Sequence, residues 1–124
     1  MSATVNKQAA IDGYAAFSAM DAEAAMKDIS DSIEWVVRGD SSLTGTYNGK
    51  DAVGGLWMKL LEKGFRTTPT EFIAEGDKVI AICETSIDGQ QAGSVNVLSY
   101  DGEGKLIRFE TYGGEELINR TFPR

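Results

Sequence analysis

The second half of the chain carries the pattern that most restricts its fold: four strand-like runs follow one another with only short turns between them. Each run is rich in β-branched and aromatic residues. Each junction contains glycine beside an acidic residue, which is typical of tight hairpin turns. The four runs are 67–74, 78–87, 91–100 and 105–112. The sequence therefore predicts an antiparallel meander.

The first half predicts three helices and one further strand. Apolar residues recur at helical spacing in the first and third helices, and Asp21 is a suitable N-cap for a short second helix. We expect helices at 4–20 and 22–27, a strand at 33–38, a loop at 39–49, a third helix from there to Gly64, and a short helical turn at 115–119. This order predicts one α+β domain over 1–124, in which three helices pack on the concave face of a cone-shaped, curved antiparallel β-sheet and enclose a pocket.

The chain contains no histidine, and Cys83 is its only cysteine. Nucleophilic pairs of the Ser-His and Cys-His type are therefore excluded, and an intrachain disulfide cannot form. Zinc and facial-triad iron sites need imidazole or clustered thiolates, so neither metal is expected. There is also no glycine-rich phosphate loop, and we expect no cofactor.

The balance of charge limits the partners of the chain. Nineteen acidic residues against twelve basic ones give a net charge of −7 over 124 residues. Such a field repels nucleic acid and anionic lipid surfaces, so we expect neither as a partner. No apolar stretch approaches the roughly 20 residues of a membrane span, and Met1 is not followed by a signal-like leader, so a cytoplasmic protein is expected.

Several short motifs stand in a distinctive order. They are Tyr14-Ala15-Ala16-Phe17, the segment 30–35 that enters the first strand, the segment 43–53 that enters the third helix, and a last strand that runs from Gly104 to Tyr112. In this order they resemble the nuclear transport factor two-like superfamily, and within it the SnoaL-like polyketide cyclase and ketosteroid isomerase group. The resemblance implies a cystatin-like cone, which hosts both enzymes and non-catalytic binding proteins.

The same resemblance locates acid/base residues at positions that carry no charge in this chain. A carboxylate base near the end of the first strand would fall on Val37. The Arg and Asp of proteins similar to limonene epoxide hydrolase would fall on Cys83 and Thr85, and a further Asp would fall on Thr111. The acid/base machinery of the enzymes is therefore absent from these positions.

Four residues of the expected interior have two interpretations each. Tyr14 is either a core tyrosine or a hydrogen-bond donor to a developing oxyanion. Trp35 and Trp57 either line a ligand pocket or fill the cone. Cys83 is either a small buried hydrophobic residue or a nucleophile, and no histidine is present to lower its pKa.

The charged residues within strands depend on which face of the sheet they occupy. Glu84 and Glu110 alternate with Cys83 and Phe109, so they lie on the outer face if those apolar residues face the pocket. If the alternation is inverted, Glu84 or Glu110 becomes a buried carboxylate with a raised pKa and a catalytic candidate beside Tyr14.

The outer face is also expected to carry apolar area. Ile80 and Ile82, with Leu98 and Tyr100 on the next strand, would form a patch of the kind that marks interfaces. Together with the habit of sheet-to-sheet pairing that the resemblance implies, this predicts a homodimer.

Three functions remain open from the sequence. The first is binding of a small hydrophobic molecule, the second is an isomerase, dehydratase or cyclase acting on a ketone or polyketide-like substrate, and the third is a protein-interaction module. For the first two, the residues expected to line the pocket are Tyr14, Phe17, Trp35, Val37, Trp57, Cys83, Val97, Phe109 and Thr111.

Overall fold

The computed structural model describes residues 2–124 and contains four helices and six strands. The elements are α1 (Ala3–Ser18), α2 (Ala22–Met26), β1 (Ile29–Val37), β2 (Gly45–Asn48), α3 (Lys50–Glu62), β3 (Arg66–Glu75), β4 (Lys78–Ile87), β5 (Gln90–Tyr100), β6 (Leu106–Tyr112) and α4 (Glu115–Thr121). The predicted α+β class is confirmed.

One curved sheet holds all six strands in the order β2-β1-β6-β5-β4-β3. The last four strands form the predicted antiparallel meander, and β1 is antiparallel to β2. β1 and β6 pair in parallel, so the first strand of the chain lies beside the last one. On the inner side, α1 packs against β3 and β4, and α3 packs against β1 and β2.

The segment predicted as a loop before α3 contains the short strand β2. Only Thr46 and Tyr47 in it are good strand formers, so the local sequence gives little signal. Tertiary contacts supply the stability instead: Tyr47 pairs with Trp35 of β1, and its hydroxyl donates a hydrogen bond of 2.7 Å to the Leu43 carbonyl. The first strand likewise begins earlier than expected, because Ile29 pairs with Leu106 of β6.

The alternation of inward and outward side chains along β5 is the reverse of the expected one, and the predicted interior position of Val97 is wrong. Val97 pairs with Ile80 and Glu110 on the outer face, whereas Leu98 is buried on the inner face opposite Val79. Tyr100 is also buried and faces inward, so it and Leu98 do not belong to the outer patch. Apolar residues occupy both faces of β5, so hydrophobicity alone does not fix its phase.

Candidate functional site

An interior cavity of about 290 Å³ lies between the sheet and the helices. All four helices and five of the six strands contribute to its lining, which is mainly apolar. The main apolar contributors are Tyr14, Phe17, Trp35, Trp57, Leu98 and Phe109.

Aromatic rings form one wall of this cavity and fix one another's positions. Trp35 stacks on Phe109, its partner across the parallel strands β1 and β6, with ring centroids 3.7 Å apart and planes 10° from parallel. Trp57 of α3 meets Trp35 edge to face at 5.6 Å, and Phe17 of α1 meets Trp57 in the same manner at 5.2 Å. Such edge-to-face contacts are favourable geometries for aromatic pairs. The wall therefore joins the sheet to two helices.

A band of uncharged polar side chains crosses the inner face of the sheet. It consists of Thr67, Thr85, Ser94, Asn96 and Thr111, which line the cavity. Strand pairing aligns them, because Thr67 lies opposite Thr85 and Asn96 lies opposite Thr111. The hydroxyl oxygens of Thr85 and Ser94 are 3.0 Å apart and hydrogen-bonded. The band offers hydrogen bonds without charge.

Asn96 and Tyr14 form the most deeply buried polar contact of the cavity. The Asn96 Nδ2 donates a hydrogen bond of 2.6 Å to the Tyr14 hydroxyl, and Cys83 Sγ lies 3.6 Å from the same nitrogen. Burial is the main reason that the pKa of Tyr14 lies well above its usual value. Tyr14 therefore keeps its proton at neutral pH and acts as a hydrogen-bonding group.

Four polar atoms of lining residues are buried without a hydrogen-bond partner in the described part of the chain: Thr67 Oγ1, Arg38 Nε, Asn96 Oδ1 and Trp57 Nε1. Asn96 and Trp57 are the two of these residues that are almost fully buried; Asn96 Oδ1 is an acceptor and Trp57 Nε1 is a donor. An unsatisfied buried polar group costs about 1–3 kcal/mol relative to a satisfied one. Both atoms therefore favour any molecule in the cavity that can hydrogen-bond to them.

The structure brings together seven of the nine residues expected to line the pocket. These are Tyr14, Phe17, Trp35, Val37, Trp57, Phe109 and Thr111. Cys83 also faces inward but is buried in the core cluster, and burial raises the pKa of its thiol, which opposes a role as nucleophile. Val97 lies on the opposite face of the sheet, as described above.

Glu84 and Glu110 also lie away from the cavity, on the outer face of the sheet. Glu84 is exposed, and Glu110 binds Arg38 at 2.9 Å and Arg108 at 3.1 Å. The Tyr112 hydroxyl donates a hydrogen bond to Glu110 that, with the two guanidinium groups, lowers the pKa of Glu110. The alternative in which either carboxylate lies inside the cavity is therefore wrong.

Sequence reasoning missed Asn96 and the acidic residues that do line the cavity. Asn96 stands between Val95 and Val97 in a strand, where asparagine is disfavoured, and that anomaly was the available signal. Asp28 and Glu115 are partly exposed carboxylates in the lining. The Glu115 Oε1 accepts a hydrogen bond of 3.1 Å from the Gly113 backbone, in a turn where Gly113 has φ of +87°. No spacing rule links Glu115 to the strands before it.

Within residues 2–124, no group of three or more histidine, cysteine, aspartate or glutamate residues is placed to hold a metal ion. None of the helices there has the length and apolarity needed to cross a membrane.

Solved structures of similar fold match almost the whole chain. Bal32a, from a soil-derived mobile gene cassette, has a TM-score of 0.87 and 22% identity, with 98% of both chains covered. An NTF2-like protein from Burkholderia thailandensis has a TM-score of 0.79 and 27% identity, with 93% of this chain and 95% of that one covered. TerC, co-crystallised with polyporic acid, has a TM-score of 0.78 and 24% identity, with 87% and 90% covered. No family model and no curated protein matches the chain.

Proposed function

We propose, from the premise that this chain has the NTF2-like fold, that it binds a small, uncharged, hydrophobic molecule in its interior cavity as a SnoaL-like member of the superfamily. The observation that carries the proposal is a cavity of about 290 Å³ with an aromatic wall and a band of neutral hydrogen-bonding groups. Binding sites for small molecules typically combine an apolar lining with a few polar groups that orient the ligand.

The absence of charge from the polar band supports an uncharged ligand. Thr85, Ser94 and Asn96 are buried and neutral, whereas the charged residues that contribute to the lining, such as Lys27 and Asp28, are exposed or partly exposed. A charge that is buried without a partner is costly, so a ligand with an ionised group against the polar band would bind poorly.

A thermal-shift screen of hydrophobic ketones, lactones and phenols tests this proposal. A ligand that binds only the native state adds about 2.7 kcal/mol of stability at 100 times its dissociation constant, which raises the melting temperature by several degrees. We expect hits with the wild type that weaken in Trp57→Ala. The matched control is Val97→Ala on the outer face, which should retain every hit. If no compound stabilises the wild type, the binding proposal fails.

The second candidate is an isomerase, dehydratase or cyclase that acts on a ketone or polyketide-like substrate. The observation in its favour is that three carboxylates contribute to the lining, of which Asp12 is exposed and Asp28 and Glu115 are partly exposed. Turnover of a compound identified in the screen should then fall at least tenfold in Glu115→Gln or in Asp28→Asn, as expected for loss of a general acid or base. Activity that is absent from the wild type, or unchanged in both variants, would contradict this candidate. The open cavity volume weighs against a third role as a protein-interaction module.

We also propose a homodimer formed through the outer face of the sheet. Ile80, Ile82, Val95 and Val97 pair across β4 and β5 on that face and are only partly covered. Residues of both charge signs surround them, so two copies related by a two-fold axis can place opposite charges together. A cytoplasmic location stays part of the proposal, since the chain has one cysteine and no intrachain disulfide.

Sedimentation velocity measures this assembly directly. The molar mass obtained for the wild type should be twice the 13.4 kDa of one chain. The Val97→Lys variant should sediment as a monomer. The control is Met58→Lys, which alters an exposed apolar residue on α3 and should leave the dimer intact. A monomeric wild type would refute the homodimer.

A further inference from the structure

The indole N–H of Trp57 is a buried donor whose role neither the fold nor the core explains. Trp57 is 7% exposed and lines the cavity, and its Nε1 has no hydrogen-bond partner among residues 2–124. A buried tryptophan normally finds an acceptor for this group, and indole can act only as a donor. The nitrogen is thus an unsatisfied donor of a residue that lines the cavity.

The aromatic neighbours of Trp57 hold its ring in place. Phe17 contacts it edge to face at 5.2 Å from one helix, and Trp35 contacts it at 5.6 Å from the sheet. Neither contact supplies an acceptor to the indole nitrogen. The two contacts restrict the orientation of the buried ring. The donor is therefore preorganised, which reduces the entropy lost on binding.

The opposite polarity is available on the sheet. Asn96 is 4% exposed; its Nδ2 donates to Tyr14, and its Oδ1 is an acceptor without a partner in the described residues. Trp57 belongs to α3 and Asn96 to β5, so the donor comes from the helical layer and the acceptor from the sheet. A ligand that satisfies both must carry an acceptor and a donor at separate positions.

We infer that Trp57 is a specificity-determining residue whose indole N–H selects ligands with a carbonyl oxygen, and that Asn96 Oδ1 selects a hydroxyl on the same ligand. This inference rests on the proposed binding function and narrows its ligand class to neutral hydroxy ketones and phenolic carbonyl compounds. A carboxylate would place its charge on a donor that has no charge of its own, so the acid analogues bind more weakly.

Four bicyclic probes of nearly equal size separate the two contacts. Tetralin has neither polar group, 1-tetralone has only the carbonyl, 5,6,7,8-tetrahydro-2-naphthol has only the hydroxyl, and 6-hydroxy-1-tetralone has both. Dissociation constants from isothermal titration calorimetry are compared in the wild type, Trp57→Phe and Asn96→Leu. In the wild type alone, 6-hydroxy-1-tetralone should bind at least tenfold more tightly than tetralin, a comparison that needs no variant.

Trp57→Phe retains an aromatic ring and removes the N–H. It should weaken the two carbonyl probes by about fivefold to tenfold, the range expected for one hydrogen bond, and leave tetralin within about twofold. Asn96→Leu should weaken the two hydroxyl probes selectively. The matched control is Trp35→Phe, which removes an indole from the same wall and should produce no loss specific to carbonyl probes.

The failures of the two proposals are distinguishable. If the wild type binds the probes but Trp57→Phe weakens all four equally or none of them, the inference about Trp57 is wrong while cavity binding stands. If the wild type binds none of the four, tetralin included, cavity binding fails and the specificity inference fails with it.

Discussion

The two faces of the central sheet differ in how they treat charge. On β6, Phe109 and Thr111 line the cavity, while Arg108 and Glu110 alternate with them on the outer face. There the two charged residues join a network that includes Glu34 and Arg38, with nitrogen-to-oxygen distances of 2.9–3.1 Å. This strand thus places both of its charged side chains on the face away from the cavity.

This sorting restricts the chemistry that each face can perform. Charged groups on the outer face are paired with opposite charges and keep part of their surface exposed, which offsets the cost of burying them. The inner face holds hydroxyl, amide and indole groups, which recognise neutral ligands through hydrogen bonds. The carboxylates in the lining that could transfer a proton are those of Asp12, which is exposed, and of Asp28 and Glu115, which are partly exposed.

The largest expected effect comes from truncating neighbouring residues of β5 on the two faces. Leu98→Ala removes a buried inner-face side chain and should lower the free energy of unfolding by roughly 2–5 kcal/mol. Val97→Ala, one residue earlier on the outer face, should cost the monomer less than about 1 kcal/mol. Urea denaturation of both variants at low protein concentration measures the difference. Equal losses would contradict the assignment of faces.

The sequence predicted most of the architecture because strand alternation and turn residues are local signals. The four predicted runs from 67 to 112 correspond to β3 to β6, and their ends differ from the observed ones by at most one residue. The NTF2-like fold that the resemblance implied is confirmed by solved structures that match nearly all of the chain. The SnoaL-like assignment stays a proposal.

The features that the sequence did not reveal depend on register and on contacts between distant segments. The turn at Asp88-Gly89 pairs Ile87 with Gln90, and counting back from that pair places Val97 opposite Ile80 on the outer face. Composition cannot supply this count, because Val97 and Leu98 are both apolar. The contact between Tyr14 and Asn96 joins residues 82 positions apart, so no local pattern encodes it.

A smaller effect is expected at Gly113, in the turn that follows β6. Gly113 has φ of +87°, and an added Cβ there would lie 3.0 Å from the Gly93 carbonyl oxygen. Gly113→Ala should therefore lower stability by about 1–3 kcal/mol, since it combines backbone strain with a contact that backbone atoms cannot relieve. Thermal unfolding measures the loss. Gly113 and Glu115 both line the cavity, so a shift of this turn should also lower the affinity for ligand.

The matched control for that change is Gly93→Ala, on the strand opposite. A Cβ at Gly93 would meet no atom within 4 Å, so alanine there should be neutral or stabilise the protein by up to about 1 kcal/mol. A Gly113→Ala variant as stable as Gly93→Ala would show that the turn tolerates a side chain.

The smallest effect concerns the charges of the outer face. The pKa of Glu110 is lowered by its hydrogen bond from Tyr112 and by Arg108 and Arg38. A carboxylate whose folded pKa lies below its unfolded value of about 4.3 contributes stability above that pH, and the contribution disappears as the pH falls through the folded pKa. Glu110→Gln should therefore be less stable than the wild type at pH 6, with the difference shrinking toward pH 3.

Urea unfolding at intervals between pH 3 and pH 7 tests this, with Glu84→Gln as the control. Glu84 is an exposed glutamate on the same face that takes part in none of the ion pairs found in residues 2–124. Its variant should follow the wild-type curve in parallel. Asp101, whose pKa is lowered mainly by a hydrogen bond from the Lys105 backbone N–H, should lose its own contribution to stability at low pH equally in both variants. If Glu110→Gln differs from the wild type by the same amount at pH 3 and pH 6, the outer network contributes no pH-dependent stability, and the contrast between the two faces is one of placement alone.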